Sequence, residues 1–154
     1  FLCYTRLRWC QFNLNLIFNA YILFKDKLVA SDAKSALTES QNLLKKIETT
    51  EMNLFTGASH EYWISKSSLI IASLKEIKPN SNIDEIRKSF VSISENLIKV
   101  FKAFGTGKNK AFIQFCPMAN QNIGAFWLST DKQILNPFYG NMMLSCGETR
   151  DTIK

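Results

Sequence analysis

Apolar side chains recur at intervals of three and four residues through most of the first 104 positions, a spacing that places them on one face of successive helices. These seams predict helices over residues 14–30, 32–50, 60–78 and 83–104. At a rise of 1.5 Å per residue, each would be about 25–33 Å long. Because the lengths match and the connections are short, the sequence predicts a mainly α-helical fold, an antiparallel up-down four-helix bundle. The first seam consists of Leu14, Ile17, Tyr21, Phe24 and Leu28.

Capping signals mark some of the helix boundaries more clearly than others. Asn82 followed three residues later by Glu85 matches a capping box at the start of the fourth helix. The joint between the first two helices contains no glycine or proline and offers only Ser31 or Asp32 as an N-cap. A single long helix over residues 14–50 is therefore an alternative at this point.

The chain changes character after Gly107, where the tail begins; residues 108–147 of the tail are rich in cysteine and methionine. Two short aromatic runs, AFIQFC and AFWLS, are bounded by turn residues and predict a small β-hairpin. We expect this tail to form a hairpin or irregular cap on one end of the bundle, with a last helical turn in ETRDTIK. Residues 14–154 then make a single domain, and residues 1–13 are expected to be a remnant of an export signal or a disordered start.

Charge and composition argue against several classes of function. The 19 lysines and arginines exceed the 13 acidic residues, giving a net charge of +6, but both signs alternate along the helices as on solvated faces, so we expect no nucleic-acid partner. No apolar run is long enough to predict a transmembrane segment. With one histidine, no nucleophile–base motif and no glycine-rich phosphate loop, the sequence predicts that the protein is not an enzyme.

Four sulfur-bearing side chains in the tail form two closely spaced pairs. Cys116 and Met118 share one side of an extended segment, and Met143 and Cys146 share one face of a helical turn. Thiolates and thioethers are soft donors that favour Cu(I) over hard cations, so a candidate site for Cu(I) or Ag(I) consists of these four residues. The bundle topology predicts that His60 starts the third helix at the end where the tail leaves, which makes it a further candidate ligand.

Other interpretations of the same residues stay open. Trp63 and Trp127 are candidate aromatic walls of a soft-metal site through cation–π contact. Alternatively, Cys116 and Cys146 form a disulfide that closes a 31-residue loop, which the chain-entropy model credits with about 3–4 kcal/mol. In that case the methionines are packing residues and no metal is bound.

The tail also carries a specific motif, Cys-Pro-Met-Ala, Gly, Trp-Leu-Ser, Ile, Asn-Pro-Phe-Tyr-Gly and Met-Leu-Ser-Cys-Gly. In this motif the chain resembles an uncharacterised bacterial domain family that occurs as small exported proteins and as the C-terminal part of membrane-fusion adaptors of copper and silver efflux pumps. The resemblance covers about residues 16–153, and an additional methionine precedes the motif methionine. The motif positions are Cys116–Ala119, Gly124, Trp127–Ser129, Ile134, Asn136–Gly140 and Met143–Gly147.

The resemblance implies a periplasmic or cell-envelope module that binds Cu(I) or Ag(I) and exchanges it with an efflux-pump adaptor or another periplasmic metal carrier. The alternative is a structural or interaction module without a metal, stapled by a disulfide between Cys116 and Cys146. Both interpretations require the two cysteines, which are far apart in the sequence, to lie close together in the fold.

Overall fold

Four long helices occupy the first two thirds of the chain. The computed structural model describes the backbone of residues 7–154 and the side chains of residues 10–154 except that of Leu54. Residues 1–6 of the segment expected to be an export-signal remnant or a disordered start lie outside this range, whereas residues 7–13 belong to the first helix. The helices are α1 (Leu7–Val29), α2 (Ala33–Glu48), α3 (Ala58–Glu76) and α4 (Ile83–Phe104), with a short 3-10 helix at Met52–Leu54 before α3.

The joint between α1 and α2 is a real break in the helix, so the alternative of one long helix over residues 14–50 is wrong. Ser31 adopts the left-handed conformation, with φ at +57°. Asp32 then caps α2, because its carboxylate accepts a hydrogen bond from the Ser35 amide at 3.0 Å. The capping box predicted for α4 is also present, formed by Asn82 and Glu85.

Aromatic side chains fill the space between the helices. α1 packs against α2 and α4, and α3 packs against α2 and α4. On α4, Phe90 stacks on Tyr21 and meets Phe24 edge-on, with ring centroids 5.4 and 5.2 Å apart. Phe18 meets Phe101 in the same edge-on way at 5.5 Å. The apolar seam that predicts α1 is therefore the face that is buried.

The tail forms a three-stranded antiparallel sheet in the order β2-β1-β3, with β1 at Ala111–Cys116, β2 at Ala125–Ser129 and β3 at Glu148–Ile153. The predicted hairpin is confirmed as β1 and β2. The helical turn expected at the end of the chain is wrong, because these residues pair as β3 with the second edge of β1. A polar strand suits this position, since its charged side chains face solvent at the open edge of the sheet.

The sheet runs alongside the helices, which differs from the expected cap on one end. β2 packs against α4, and the Tyr21 hydroxyl on α1 accepts a hydrogen bond from the Leu128 amide at 3.0 Å. Further along the tail, Phe138 packs on Phe90 with ring centroids 5.6 Å apart. The physical reason is that five of the six residues of β1 are buried, so the strand needs cover on both faces.

None of the helices in residues 7–154 combines the length and the apolar character that crossing a membrane would require.

Candidate thiol site

Two cysteines from distant parts of the tail are in direct contact. The Sγ atoms of Cys116 and Cys146 lie 2.7 Å apart, and both residues are free thiols. Cys116 is the last residue of β1 and is completely buried, whereas Cys146 lies in the loop before β3 and is partly exposed. The predicted proximity of the two cysteines is therefore confirmed.

A fully buried asparagine holds the loop that carries Cys146. The side-chain amide of Asn136 donates to the Cys146 carbonyl at 2.8 Å. Its side-chain oxygen accepts from the amides of Phe138 and Tyr139 at 2.8 and 3.2 Å, and its backbone amide donates to the Leu144 carbonyl at 2.8 Å. One side chain thus fixes both the turn that follows it and the cysteine ten residues later.

The same loop is fastened to the helices through Arg87 of α4. The Arg87 Nε donates to the Pro137 carbonyl at 2.8 Å, and Nη2 donates to the Leu28 carbonyl at 2.9 Å. Burial lowers the pKa of Arg87, and the carboxylate of Asp84 acts in the opposite direction. The guanidinium therefore links the end of α1, the start of α4 and the loop of the thiol site.

Only a glycine fits next to this guanidinium. Gly140 has φ at +54°, and a Cβ at this position would lie 2.5 Å from the Ser31 Oγ and 2.9 Å from the Arg87 Nη2. This close approach explains why a glycine follows Asn-Pro-Phe-Tyr in the sequence. The sequence indicates a turn at these residues but does not reveal this contact.

An unusual turn follows Cys116 on the other side of the site. Asn120, Gln121 and Asn122 all have positive φ, between 53° and 64°, a left-handed conformation that non-glycine residues rarely adopt in succession. The Tyr139 hydroxyl fastens the start of this turn by donating to the Met118 carbonyl at 2.6 Å. Tyr139 therefore joins the segments that carry the two cysteines.

The contact between the thiols affects the protonation of Cys146. The pKa of Cys146 is raised from 9.0 to about 11, first because its thiol is hydrogen-bonded to Cys116, and further by burial and by the negative charge of an ionised Cys116. The pKa of Tyr139 is also raised, mainly by burial and then by negative charge on the two cysteines. At neutral pH the Cys146 sulfur therefore keeps its proton in the absence of a ligand.

The candidate methionine ligands are both at least partly exposed. Met118 is 45% exposed, and Met143 is half-buried in a turn where the Cys146 amide donates to the Met143 carbonyl at 3.1 Å. The neighbouring Met142 is 74% exposed. Each motif methionine thus lies within three residues of a cysteine in the sequence and is at least partly accessible to solvent.

His60 lies elsewhere in the molecule. Its Nδ1 is 3.3 Å from the Met52 carbonyl, and the neighbouring Trp63 stacks on Phe55, which in turn contacts Phe104 at the end of α4. The thiol loop instead reaches Phe90, which is about 20 Å away along the helix axis at 1.5 Å per residue. The structure therefore does not bring His60 or Trp63 to the thiols, because the tail runs back along α4.

Trp127, the other candidate aromatic wall of a metal site, lies next to the segment that carries Cys146. It is completely buried, and a Cβ on Gly147, the residue after Cys146, would lie 2.8 Å from its Cη2. Within the described part of the chain, no group of three or more histidine, cysteine, aspartate or glutamate side chains is placed to hold a metal ion. Any metal at this site would therefore rely on the two thiols and on thioethers.

A surface groove of about 560 Å³ lies next to the left-handed turn. Its walls include Arg87 and Lys88 from α4, Asn120 and Gln121 from the turn, and Tyr139 from the thiol loop. The sequence gives no signal for this groove, because its residues come from three separate segments.

The fold and the site together define a helical domain with a small sheet and a pair of thiols, one at the end of β1 and one in the loop before β3. Residues 17–109, more than half of the chain, match the model of a family described as a protein of unknown function (DUF3347), and the chain belongs to this family. The matched region covers most of α1 and all of α2 to α4, and it ends before the sheet and the thiols. Searches of curated proteins and of solved structures returned no significant match.

Proposed function

We propose that this domain captures a soft monovalent metal ion, Cu(I) or Ag(I), between Cys116 and Cys146. The observation that carries this proposal is the contact between two free thiols, 2.7 Å apart, that come from distant parts of the tail. Thiolates are soft donors that suit Cu(I), zinc and iron–sulfur clusters better than hard cations. The ion is the cargo of the domain, and the proposed role is binding and transfer without catalysis.

The ligand set fits a monovalent ion better than zinc. Structural zinc sites use four Cys or His ligands, and the described residues place no third such side chain at the thiols. Cu(I) and Ag(I) accept two sulfur ligands, with a thioether as an optional third. Met118 and Met143 are the thioethers next to the pair in the chain.

Binding requires the sulfur atoms, now 2.7 Å apart, to separate by about 2 Å. In zinc sites a thiolate sulfur lies about 2.3 Å from the metal, and two sulfurs on opposite sides of an ion at that distance are about 4.6 Å apart. Cys116 is fixed in a buried strand, so the movement belongs to Cys146, which is in a loop and partly exposed. The loss of both thiol protons on binding removes the hydrogen bond between the two sulfurs.

The proposed setting is the periplasm or cell envelope, with an efflux-pump adaptor or another metal carrier as the partner. Support for this part comes from the tail motif, through its resemblance to domains attached to copper and silver efflux adaptors. In this proposal the four helices form an up-down bundle that supports the sheet, and the exposed Met118 or the half-buried Met143 gives way to a ligand of the partner. A weakly bound thioether suits such an exchange.

A second candidate function is a metal-free structural or interaction module with a Cys116–Cys146 disulfide. The observation that favours it is the same distance, because 2.7 Å is closer to a disulfide bond of about 2.0 Å than to the spacing of two ligands of one ion. By the chain-entropy model, this bond would stabilise the fold by about 3–4 kcal/mol.

Native mass spectrometry separates the two functions. The reduced protein is titrated with Ag(I), and with Cu(I) under anaerobic conditions. We expect one ion per chain in the wild type and none in Cys116→Ser or Cys146→Ser. A protein that takes up no ion after mild reduction, and that carries a quantitative Cys116–Cys146 disulfide when isolated from its native compartment, would establish the structural module instead.

The methionines are distinguished in the same experiment. We expect Met143→Leu to weaken binding, while Met52→Leu, a change to an exposed methionine in the 3-10 helix before α3, serves as the matched control. Met142→Leu shows whether the additional methionine takes the place of its neighbour.

A further inference from the structure

A buried indole next to the thiols has an unused hydrogen-bond donor. Trp127 is completely buried, yet its Nε1 has no acceptor. Within the described residues, the only other buried side-chain nitrogen or oxygen without a partner is the Gln114 Oε1. An indole N–H can only donate, and burying such a group without an acceptor costs about 1–3 kcal/mol. Because an unpaired buried donor is unfavourable, we expect the indole N–H to find its acceptor in another state of the site.

Strand register places this donor near Cys116. Trp127 on β2 lies opposite Gln114 on β1, and Cys116 lies two residues further along β1 opposite Ala125. Side chains two residues apart on a strand share a face, and diagonal neighbours across strands are within reach of an aromatic side chain. Trp127 and Cys116 are therefore diagonal neighbours on one face of the sheet.

The same indole touches the segment that carries Cys146. Its Cη2 is the atom that a Cβ on Gly147 would meet, at 2.8 Å. Gly147 has φ at +135°, so the backbone passes over the ring at a position where only glycine fits without strain. The indole thus adjoins both cysteine segments.

Metal capture creates a charge at this place that needs a donor. Two thiolates and one monovalent cation carry one net negative charge, and a charge next to a buried strand requires hydrogen bonds or a counter-charge. The nearby Tyr139 hydroxyl already donates to the Met118 carbonyl. The Arg87 Nε and Nη2 donate to backbone carbonyls.

We propose that the Trp127 indole N–H donates a hydrogen bond to a metal-bound cysteine sulfur and thereby stabilises the anionic dithiolate complex. Trp127 is in this view a positioning residue that acts through the sulfur. The inference rests on the proposed function, since the acceptor appears only when the thiols bind the ion. The two orphan polar atoms belong to residues that pair in register, Gln114 and Trp127, so the Gln114 Oε1 is the competing acceptor.

The direct test follows the indole N–H resonance of Trp127 by ¹⁵N-edited NMR while the reduced, full-length protein is titrated with Ag(I). We expect the Trp127 proton to move downfield and to exchange more slowly with solvent as one equivalent of Ag(I) binds. The Trp63 indole, which stacks on Phe55 away from the site, is the internal control and should not change. Trp127→Phe is used only to assign the resonance.

A near-isosteric replacement measures the effect on affinity. Benzothienylalanine at position 127 exchanges the N–H for sulfur and keeps the ring system. We expect Ag(I) to bind about 10- to 100-fold more weakly, in line with a hydrogen bond to a charged group. The urea midpoint of the metal-free protein should stay equal or rise, which a merely structural role of the N–H would not produce.

The outcomes separate this inference from the proposed function. Ag(I) binding that leaves the Trp127 resonance and the affinity unchanged overturns the role of the indole and leaves the thiol site intact. No Ag(I) binding by the reduced wild type overturns both.

Discussion

At the scale of single residues, Asn136 does the most to assemble the site. Its side chain makes three hydrogen bonds to the backbone, one of them to the Cys146 carbonyl, from a position without solvent access. The sequence indicates a turn at Asn-Pro, but it gives no sign that the side chain reaches ten residues ahead. Such a contact depends on the path of the whole loop and not on local propensity.

Replacing this side chain should weaken both the fold and the site. Asn136→Ala removes the side-chain partner of three backbone groups that are buried or partly buried, and we expect the free energy of unfolding to fall by about 2–4 kcal/mol in urea titrations. The control is Asn141→Ala in the same loop, where the side chain is exposed and the change should stay within about 0.5 kcal/mol. Equal effects of the two changes would contradict the role given to Asn136.

The reactivity of Cys146 should follow an unusual pH dependence. A raised pKa keeps this sulfur protonated, and therefore unreactive, to a higher pH than an ordinary thiol. In the reduced protein we expect iodoacetamide to modify Cys146 with a midpoint near pH 11 and not near pH 9. In Cys116→Ala the midpoint should move back down, because the hydrogen bond and the neighbouring charge are gone. Peptide mass spectrometry of the alkylated sites gives the rates, and an unchanged midpoint in the variant would show that the contact does not control the proton.

At the scale of elements, the left-handed turn between β1 and β2 is the only described segment with consecutive non-glycine residues at positive φ. Gln121 has φ at +57° and its side chain is exposed, so burial of the side chain does not offset the unfavourable backbone conformation. We expect Gln121→Gly to raise the free energy of unfolding by about 0.5–1 kcal/mol, since glycine adopts this conformation without steric cost. Gln133→Gly is the matched control, at an exposed position of the same tail without a positive φ, and it should be neutral or destabilising. A loss of stability in Gln121→Gly would mean that its side chain holds the turn.

Elements with a strong local pattern are the ones that the sequence predicts. The seam of Leu14 to Leu28 and the capping box of α4 each lie within one segment. The helices appear within two residues of the predicted bounds, except that α1 begins seven residues earlier. β3 is different, because ETRDTI has no alternation of apolar residues and becomes a strand only by pairing with β1 more than 30 residues earlier. The pairing depends on the tertiary fold, so the local sequence does not predict this strand.

At the scale of the whole molecule, the path of the tail decides which candidate residues meet. The helical pattern predicts the directions of the helices but does not predict the path of the tail after Gly107. The tail follows α4 back, held by the Tyr21 hydroxyl at Leu128 and by Arg87 at Pro137. His60 is therefore left at the far end, while Cys116 and Cys146 meet as the motif suggests.

X-ray absorption at the copper edge tests the central claim most directly, because it reports the atoms bound to the ion. We expect Cu(I)-loaded wild-type protein to show a first shell of two or three sulfur atoms, and Cys116→Ser and Cys146→Ser each to lose this shell. A shell of nitrogen or oxygen atoms, or a sulfur shell that survives both substitutions, would contradict a Cu(I) site built on these two cysteines.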